Sequence, residues 1–334
     1  MNTKFGVFSA RLMPQEELFS HGHRACQGCA PALVMRLLGK ALGKNLIVAN
    51  ATGCMEIIAS PYPHMAWKVP WIHVAFENTS AVASGIEAGM KVLRRKNKFY
   101  NEDPDDKTCI LAIGGDGGTL DIGLQSLSGA LERGHDFVYV CYDNEAYMNT
   151  GIQRSSGTPM GASTTTSPAG IASTGQQTWK KDFAEICAAH HIPYVATANV
   201  AYPFDLMEKA KKAKAVDGPA VLHVFAPCPT GWRCPGSSAI KLARLATETG
   251  IFPLYEVEDG KYSLSMDIEE LRSVDDYAAI RNIKDYMFDE VAGGKDKQGR
   301  YRHLTPELVE HIQNEVIQRY NRLKAKVKMS QEIE

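Results

Sequence analysis

Residues 108–118 read Thr-Cys-Ile-Leu-Ala-Ile-Gly-Gly-Asp-Gly-Gly, and residues 137–149 read Phe-Val-Tyr-Val-Cys-Tyr-Asp-Asn-Glu-Ala-Tyr-Met-Asn. Each opens with a short, nearly continuous apolar run and ends in a polar corner. The runs 108–113 and 137–142 have the pattern of strands buried in a parallel sheet. Between them, Leu120, Ile122, Leu124, Leu127 and Leu131 fall largely on one helical face. Gly134 follows where a helix C-terminus commonly places glycine. A strand–helix–strand crossover makes the two strands parallel. Both corners then lie at carboxyl ends of strands, where open α/β sheets bind ligands.

The same alternation extends outward. Strands are expected at 46–50, 71–76, 193–196 and 220–225 as well. Helices are expected at 31–42, 81–95, 120–133, 180–190, 203–215 and 237–249. The order predicts an α/β fold, a mostly parallel sheet with helices on both faces. The segment 149–178 is rich in Gly, Ser, Thr and Pro and too long for an idle connection, so it reads as a functional or interface loop. Pro61 to Trp71 mixes prolines and aromatics and reads as a packed loop. Beyond Tyr255 the pattern loosens. Glu-Asp-Gly-Lys at 258–261 signals a hairpin. The charged helix 306–328 reads as an exposed or partner-facing arm, or as a solvated terminal helix.

The corners suggest chemistry. Mg²⁺ takes hard oxygen ligands and shares them with phosphate and water. Asp116 offers a carboxylate, Asn144 an amide oxygen and Ala146 a backbone carbonyl. Gly115, Gly117 and Gly118 free the backbone to approach a diphosphate, and a following helix N-terminus favours anions. Alone, Gly-Asp-Gly also reads as a tight strand-to-helix turn. The second corner at this spacing raises the cofactor reading above it. The pairing is the mark of a thiamine diphosphate site.

Eight cysteines occur: Cys26, Cys29, Cys54, Cys109, Cys141, Cys187, Cys228 and Cys234. Cys109, Cys141 and Cys187 sit inside apolar patterns and read as small buried hydrophobes. Cys26 and Cys29 form Cys-Gln-Gly-Cys in a loop. Cys54 and Cys228 follow strands, and Pro229 disfavours further pairing after Cys228. Four such thiolates suit Zn²⁺ or an iron–sulfur cluster, with Cys234 competing with Cys228 for the fourth place. The opening stretch MNTKFGVFSARLMPQEE has no apolar core of a signal peptide, so a reduced, cytoplasmic setting is expected.

Taken in order, Gly-His-Arg-Ala-Cys-Gln-Gly-Cys, Ala-Thr-Gly-Cys-Met-Glu-Ile, Gly-Gly-Asp-Gly-Gly, Asp-Asn-Glu-Ala-Tyr-Met-Asn-Thr-Gly-Ile-Gln and Pro-Cys-Pro-Thr-Gly-Trp closely resemble the β subunit of pyruvate:ferredoxin oxidoreductase and related 2-oxoacid:ferredoxin oxidoreductases. The resemblance covers 13–255 and Arg-His-Leu-Thr-Pro-Glu at 302–307. It implies a thiamine diphosphate-binding domain with the cluster site at 1–255, and a C-terminal extension and arm at 256–334. It implies oxidative decarboxylation of a 2-oxoacid, pyruvate foremost, to an acyl-CoA, with electrons leaving to ferredoxin. By the same resemblance Cys26, Cys29, Cys54 and Cys228 would bind a 4Fe–4S cluster. Asp116, Asn144 and the Ala146 carbonyl would hold Mg²⁺. Gly53, Cys54, Gly115, Gly117, Gly118 and Tyr147 would line the cofactor, and the catalytic Asn149 would reach toward the thiazolium carbon. Single-chain relatives carry an acidic residue two positions after the CxxC, where this chain has Pro31, which withdraws support for a contact there. The segment 281–299 looks like an insertion relative to shorter archaeal-type β subunits and is given no role.

Partners follow from the same reading: other subunits of the oxidoreductase (α, and γ/δ or fused equivalents), ferredoxin, a 2-oxoacid and coenzyme A. The 334 residues carry a net charge of −1, which argues against nucleic acid as a partner, and no apolar run approaches a membrane span. Two other readings stay open: a different 2-oxoacid (branched-chain, aryl or oxalate-type), and a non-catalytic, zinc-stabilised scaffold subunit. His21, His23, His64, His73, His135, His190 and His191 show no convincing ligand spacing and read as surface or satisfied core residues.

Overall fold

A computed structural model of the chain describes residues 9–98, 106–268, 287 and 299–332. The 281–299 segment lies outside the described residues apart from Met287 and Gly299. The strands are β1 (Leu46–Ala51), β2 (Trp71–Val74), β3 (Cys109–Gly115), β4 (Val138–Asp143), the two-residue pair β5 (Ala169–Gly170) and β6 (Ser173–Thr174), β7 (Tyr194–Asn199), β8 (Ala220–Phe225), β9 (Tyr255–Glu258) and β10 (Lys261–Leu264). One eight-stranded sheet has the order β10-β9-β7-β8-β4-β3-β1-β2. From β7 to β2 every neighbouring pair is parallel, and only β9 runs the other way, antiparallel to both β7 and the edge strand β10. The mostly parallel sheet expected from the alternation is therefore present.

The helices are α1 (Ala30–Leu42), α2 (Cys54–Ala59), α3 (Thr79–Arg95), α4 (Leu124–Glu132), α5 (Phe183–Ala188), α6 (Pro203–Ala215), α7 (Pro229–Trp232), α8 (Ala239–Glu248) and α9 (Pro306–Gln331). They cover both faces of the sheet, and strand alternation divides the core accordingly. Leu111 and Ile113 pack with α1, α6 and α8, whereas Ile110 and Ala112 pack with α3, α4 and α5. Strands β4, β7 and β8 are buried along their whole length, which is why they read as largely apolar runs with few polar interruptions.

Two helices depart from expectation at one place. Instead of a continuous helix over 120–133, a π-helical turn spans Gly117–Ile122 before α4 begins. Within that turn the Lys181 Nζ donates to the Leu120 carbonyl. The helix expected over 180–190 starts only at Phe183. The Lys181 N–H is already engaged by the Ser156 carbonyl, so the chain stays extended there.

The C-terminal helix needs a larger correction. It is not a solvated arm: Val309, Ile312, Val316, Tyr320 and Leu323 are buried at steps of three and four. Ile312 and Val316 join one core and Leu323 the other. The hairpin at Asp259-Gly260 forms with both residues at positive φ, as a tight two-residue turn demands. Its first strand pairs with β7, so the sheet runs across the division expected at 255/256. Trp67 of the 61–71 loop packs edge-on against Phe19 at 5.0 Å. Among the described residues no helix is long and apolar enough to cross a membrane.

Candidate functional site

Strands β3 and β4 pair with Gly114 opposite Cys141 and Gly115 opposite Tyr142. Each chain leaves the sheet one or two residues later, so Asp116 and Asn144 emerge side by side. Beneath them lies a cavity of about 640 Å³, including its open mouth. Gly53, Cys54, Gly115, Asp116, Gly117, Gly118, Asn144, Ala146, Tyr147 and Asn149 all line it. Thr52, Phe76, Tyr142, Met148 and Thr150 line it as well and were missed by sequence reasoning. Thr52 and Phe76 follow the carboxyl ends of β1 and β2, so the strand order would have found them.

The glycines serve the walls of this cavity. A Cβ on Gly117 would stand 2.5 Å from the Tyr147 ring, and one on Gly118 3.1 Å from Phe76. The two rings lie 5.7 Å apart, centroid to centroid. Glycine here lets an aromatic pair close on the backbone, a role that motif reading assigned to diphosphate approach alone.

Asp116 is 1% exposed. The Ser155 hydroxyl donates to its Oδ2 at 2.5 Å. Burial and the neighbouring Asp143 push its carboxyl well above the usual range. The Asn144 amide sits 3.0 Å from both Asp116 Oδ1 and the Ala146 carbonyl. Turned nitrogen-first, it donates to both. Turned oxygen-first, it completes a convergence of three oxygens, the hard-donor set that suits Mg²⁺. A buried carboxylate held above its normal pKa gains most from a cation at that point.

The thiols gather on the other side of Cys54. Burial pushes Cys54 up to about 11, with Cys228 next, while the Asn149 side chain bonds to it and opposes the rise. Burial likewise raises Cys29 to about 12, and Cys228, Cys54 and Cys26 each add to it. Cys26, Cys29, Cys54 and Cys228 therefore lie within electrostatic reach of one another. Cys234 senses Cys228 among them, and its thiol faces the Pro229 carbonyl. Cys228 itself begins a turn rather than a loop: its sulfur accepts from Gly231 N–H at 3.3 Å. Among the described residues no three His, Cys, Asp or Glu are grouped tightly enough to hold a metal as they stand.

Behind the corner lies a buried ionic network that sequence reasoning also missed. Lys180 Nζ is 2.9 Å from both Asp143 Oδ2 and Glu145 Oε1. His223 Nε2 is 2.9 Å from the same Asp143 oxygen, and Arg300 Nη1 is 2.5 Å from Glu145 Oε2. Burial opposes ionisation of Asp143, but Lys180 and His223 outweigh it and hold the carboxyl at about 2. Burial would also pull the Lys180 ammonium down, and Asp143 and Glu145 instead raise it. Glu145 adopts a φ of 72°, a conformation that costs about 1–3 kcal/mol outside glycine. Its N–H to Asp143 Oδ1 at 2.9 Å and its ion pairs offset that strain. The available signal was a histidine inside an otherwise apolar strand and a lysine leading into α5. His73, His135 and His190 are satisfied locally by Thr52, Glu87 and Ser128.

Residues 51–224 match the family described as thiamine pyrophosphate enzyme, C-terminal TPP binding domain. The chain is 53% identical over 300 residues to pyruvate synthase subunit PorB of Methanocaldococcus jannaschii, covering 90% of this chain and 94% of that one. It is 48% identical over 321 residues to the PorB of Pyrococcus furiosus, covering 90% and 91%. It is 46% identical over 314 residues to ketoisovalerate oxidoreductase subunit VorB of Pyrococcus horikoshii, covering 93% and 94%. Among solved structures, 2-oxoglutarate:ferredoxin oxidoreductase from Magnetococcus marinus shares the fold, with a TM-score of 0.54 at 20% identity over 72% of this chain and 82% of that one.

The network generates a prediction about acid. The Asp143 carboxyl lies below its unfolded value of about 3.9, so its contribution is complete above about pH 4 and is lost as pH falls toward 2. Asp143→Asn should destabilise the fold by about 3–5 kcal/mol at neutral pH, because Lys180 and His223 lose a buried partner. Between pH 4 and 2 the wild type should lose stability more steeply than the variant. Urea unfolding across pH measures both, and parallel curves would refute the assignment.

Proposed function

Because the chain belongs to the β-subunit family of 2-oxoacid:ferredoxin oxidoreductases, we propose that it catalyses oxidative decarboxylation of pyruvate with coenzyme A to acetyl-CoA and CO₂, electrons passing to ferredoxin. It would act in the cytoplasm, within a hetero-oligomer whose other subunits (α, and γ/δ or fused equivalents) complete the site. Eight free cysteines suit that reducing setting. One observation carries the reading: buried Asp116, the Asn144 side-chain amide and the Ala146 carbonyl converge beside the cavity at the ends of β3 and β4. Membership of an enzyme family displaces the zinc-scaffold alternative.

Thiamine diphosphate, when bound, supplies the nucleophilic carbon and the electron sink for decarboxylation. The chain's part is to bind and orient. Asp116, Asn144 and the Ala146 carbonyl would hold Mg²⁺ against the diphosphate. Phe76 and Tyr147 wall the cavity. Cys26, Cys29, Cys54 and Cys228 would hold a 4Fe–4S cluster beside it, which takes electrons singly. Asn149 lines the cavity and its amide also reaches Cys54, so it stands between cofactor and thiols. From there it would donate a hydrogen bond to the substrate oxygen as charge develops.

Pyruvate is favoured because the PorB relative from Methanocaldococcus is 53% identical and the VorB relative 46%. A branched-chain 2-oxoacid is the second reading. Ferredoxin reduction by the assembled complex, with pyruvate and 3-methyl-2-oxobutanoate compared by kcat/KM, decides between them. A higher value for the branched acid would reverse the assignment.

Two variants test the residues. Cys228→Ser should lower iron content or make the cluster labile, whereas Cys234→Ser should leave iron and sulfide unchanged. The reverse pattern would move the fourth ligand to Cys234. Asn149→Ala should slow turnover roughly a hundred- to thousand-fold, about 2.7–4 kcal/mol in the barrier, with little change in cofactor affinity. Steady-state kinetics on fully loaded complex measures it, and a near-normal kcat would remove Asn149 from catalysis.

A further inference from the structure

Arg300 lies on a 3₁₀ turn, Gly299–Tyr301, at the far end of the sequence from the cavity residues, yet it is 3% exposed. Its guanidinium lies 4.1 Å over the Trp232 ring and 4.8 Å from the Tyr301 ring. Its Nη1 pairs with Glu145 Oε2 at 2.5 Å. Trp232 closes α7, the turn that Cys228 begins, and its indole N–H donates to the Asn144 carbonyl at 3.0 Å. The Arg300 carbonyl in turn accepts from Ser163 N–H at 2.9 Å, within the loop after the corner. One side chain thus joins the Cys228 turn to the Asn144–Ala146 corner.

The charge matters as well as the shape. Packing Trp232 on Tyr301 would need only an apolar spacer, whereas the side chain here carries a buried charge paired with Glu145. The guanidinium lies over Trp232, at the end of the same short turn that Cys228 opens, so its charge is fixed beside that turn. An iron–sulfur cluster becomes more negative on reduction, so a fixed cation nearby favours the reduced form. A cluster that must accept electrons from the cofactor gains from that bias.

We propose that Arg300 is a positioning residue that locks the Cys228 turn to the diphosphate corner and raises the reduction potential of the cluster. The proposal rests on the reading of Cys26, Cys29, Cys54 and Cys228 as cluster ligands.

Arg300→Met and Arg300→Lys in the assembled complex test it, using potentiometric titration followed by electron paramagnetic resonance. Arg300→Met should lower the reduced-to-oxidised ratio at fixed poise about tenfold, which is about 59 mV for one electron. It should also weaken thiamine diphosphate binding several-fold by calorimetry. Arg300→Lys keeps the charge and should hold the ratio within about threefold of wild type, while losing the flat stack on Trp232. A wild-type potential in Arg300→Met, or equal shifts in both variants, would overturn the electrostatic role. If Arg300→Met does not assemble, Arg300→Lys decides: a tenfold shift there overturns the proposal. A wild-type complex without iron would sink the cluster reading and this proposal with it. That result differs from normal iron with a potential indifferent to Arg300.

Discussion

The site depends on a lysine carried into the protein interior. Lys180 is 8% exposed and stands between Asp143 and Glu145, at the base of the corner that presents Asn144 and Ala146. Removing such charges from water is unfavourable unless each is paired and hydrogen-bonded. Here the pairing is complete enough to hold Glu145 in a left-handed backbone conformation. That conformation turns the chain sharply after β4, so the Asn144 side chain and the Ala146 carbonyl point toward Asp116. Loss of the lysine would leave two buried carboxylates beside a third.

The loop from Asn149 to Thr178 connects this network to the cavity. Ser155 donates to Asp116, and the Ser156 N–H donates to Asp121 at 3.0 Å. Thr158 donates to the Glu145 carbonyl at 2.7 Å. The loop therefore straps the first corner to the second before delivering Lys180 beneath them. Its polar composition follows from that task, since nearly every hydroxyl answers a backbone or carboxylate group that the sharp turns leave open. Lys181, the next residue, donates to the Leu120 carbonyl within the π-helical turn. Two adjacent lysines thus brace the two corners separately.

The cysteine side of the cavity is tied to the same frame by different means. Cys54 opens α2 directly after β1, and Cys228 opens α7 after β8. Trp232 bonds the second of these turns to Asn144. Asn149 lies between the cavity and Cys54. The Asp116–Asn144 corner and the thiols consequently share one frame, with spacing set by the sheet and by buried polar contacts across it.

Much of this was legible along the chain because its physics is local. Apolar runs of strand length, periodic helices, and glycine or Asp-Asn at strand ends mark β3, β4 and the corners without reference to anything distant. Cys-Gln-Gly-Cys marks two thiols in the same way. The C-terminal helix was misread because its apolar residues are spaced along a heavily charged segment, and only its docking on the sheet shows that Ile312 and Val316 are core. His223, Lys180 and Arg300 lie 80, 37 and 155 positions from the acids they pair with. No local pattern links residues so far apart. Sequence determined which segments form strands, helices and polar corners, since those follow from backbone preference and hydrophobic period. Tertiary structure alone decided which buried charges meet, because ion pairs in the interior depend on through-space distance and desolvation, neither of which chain order encodes.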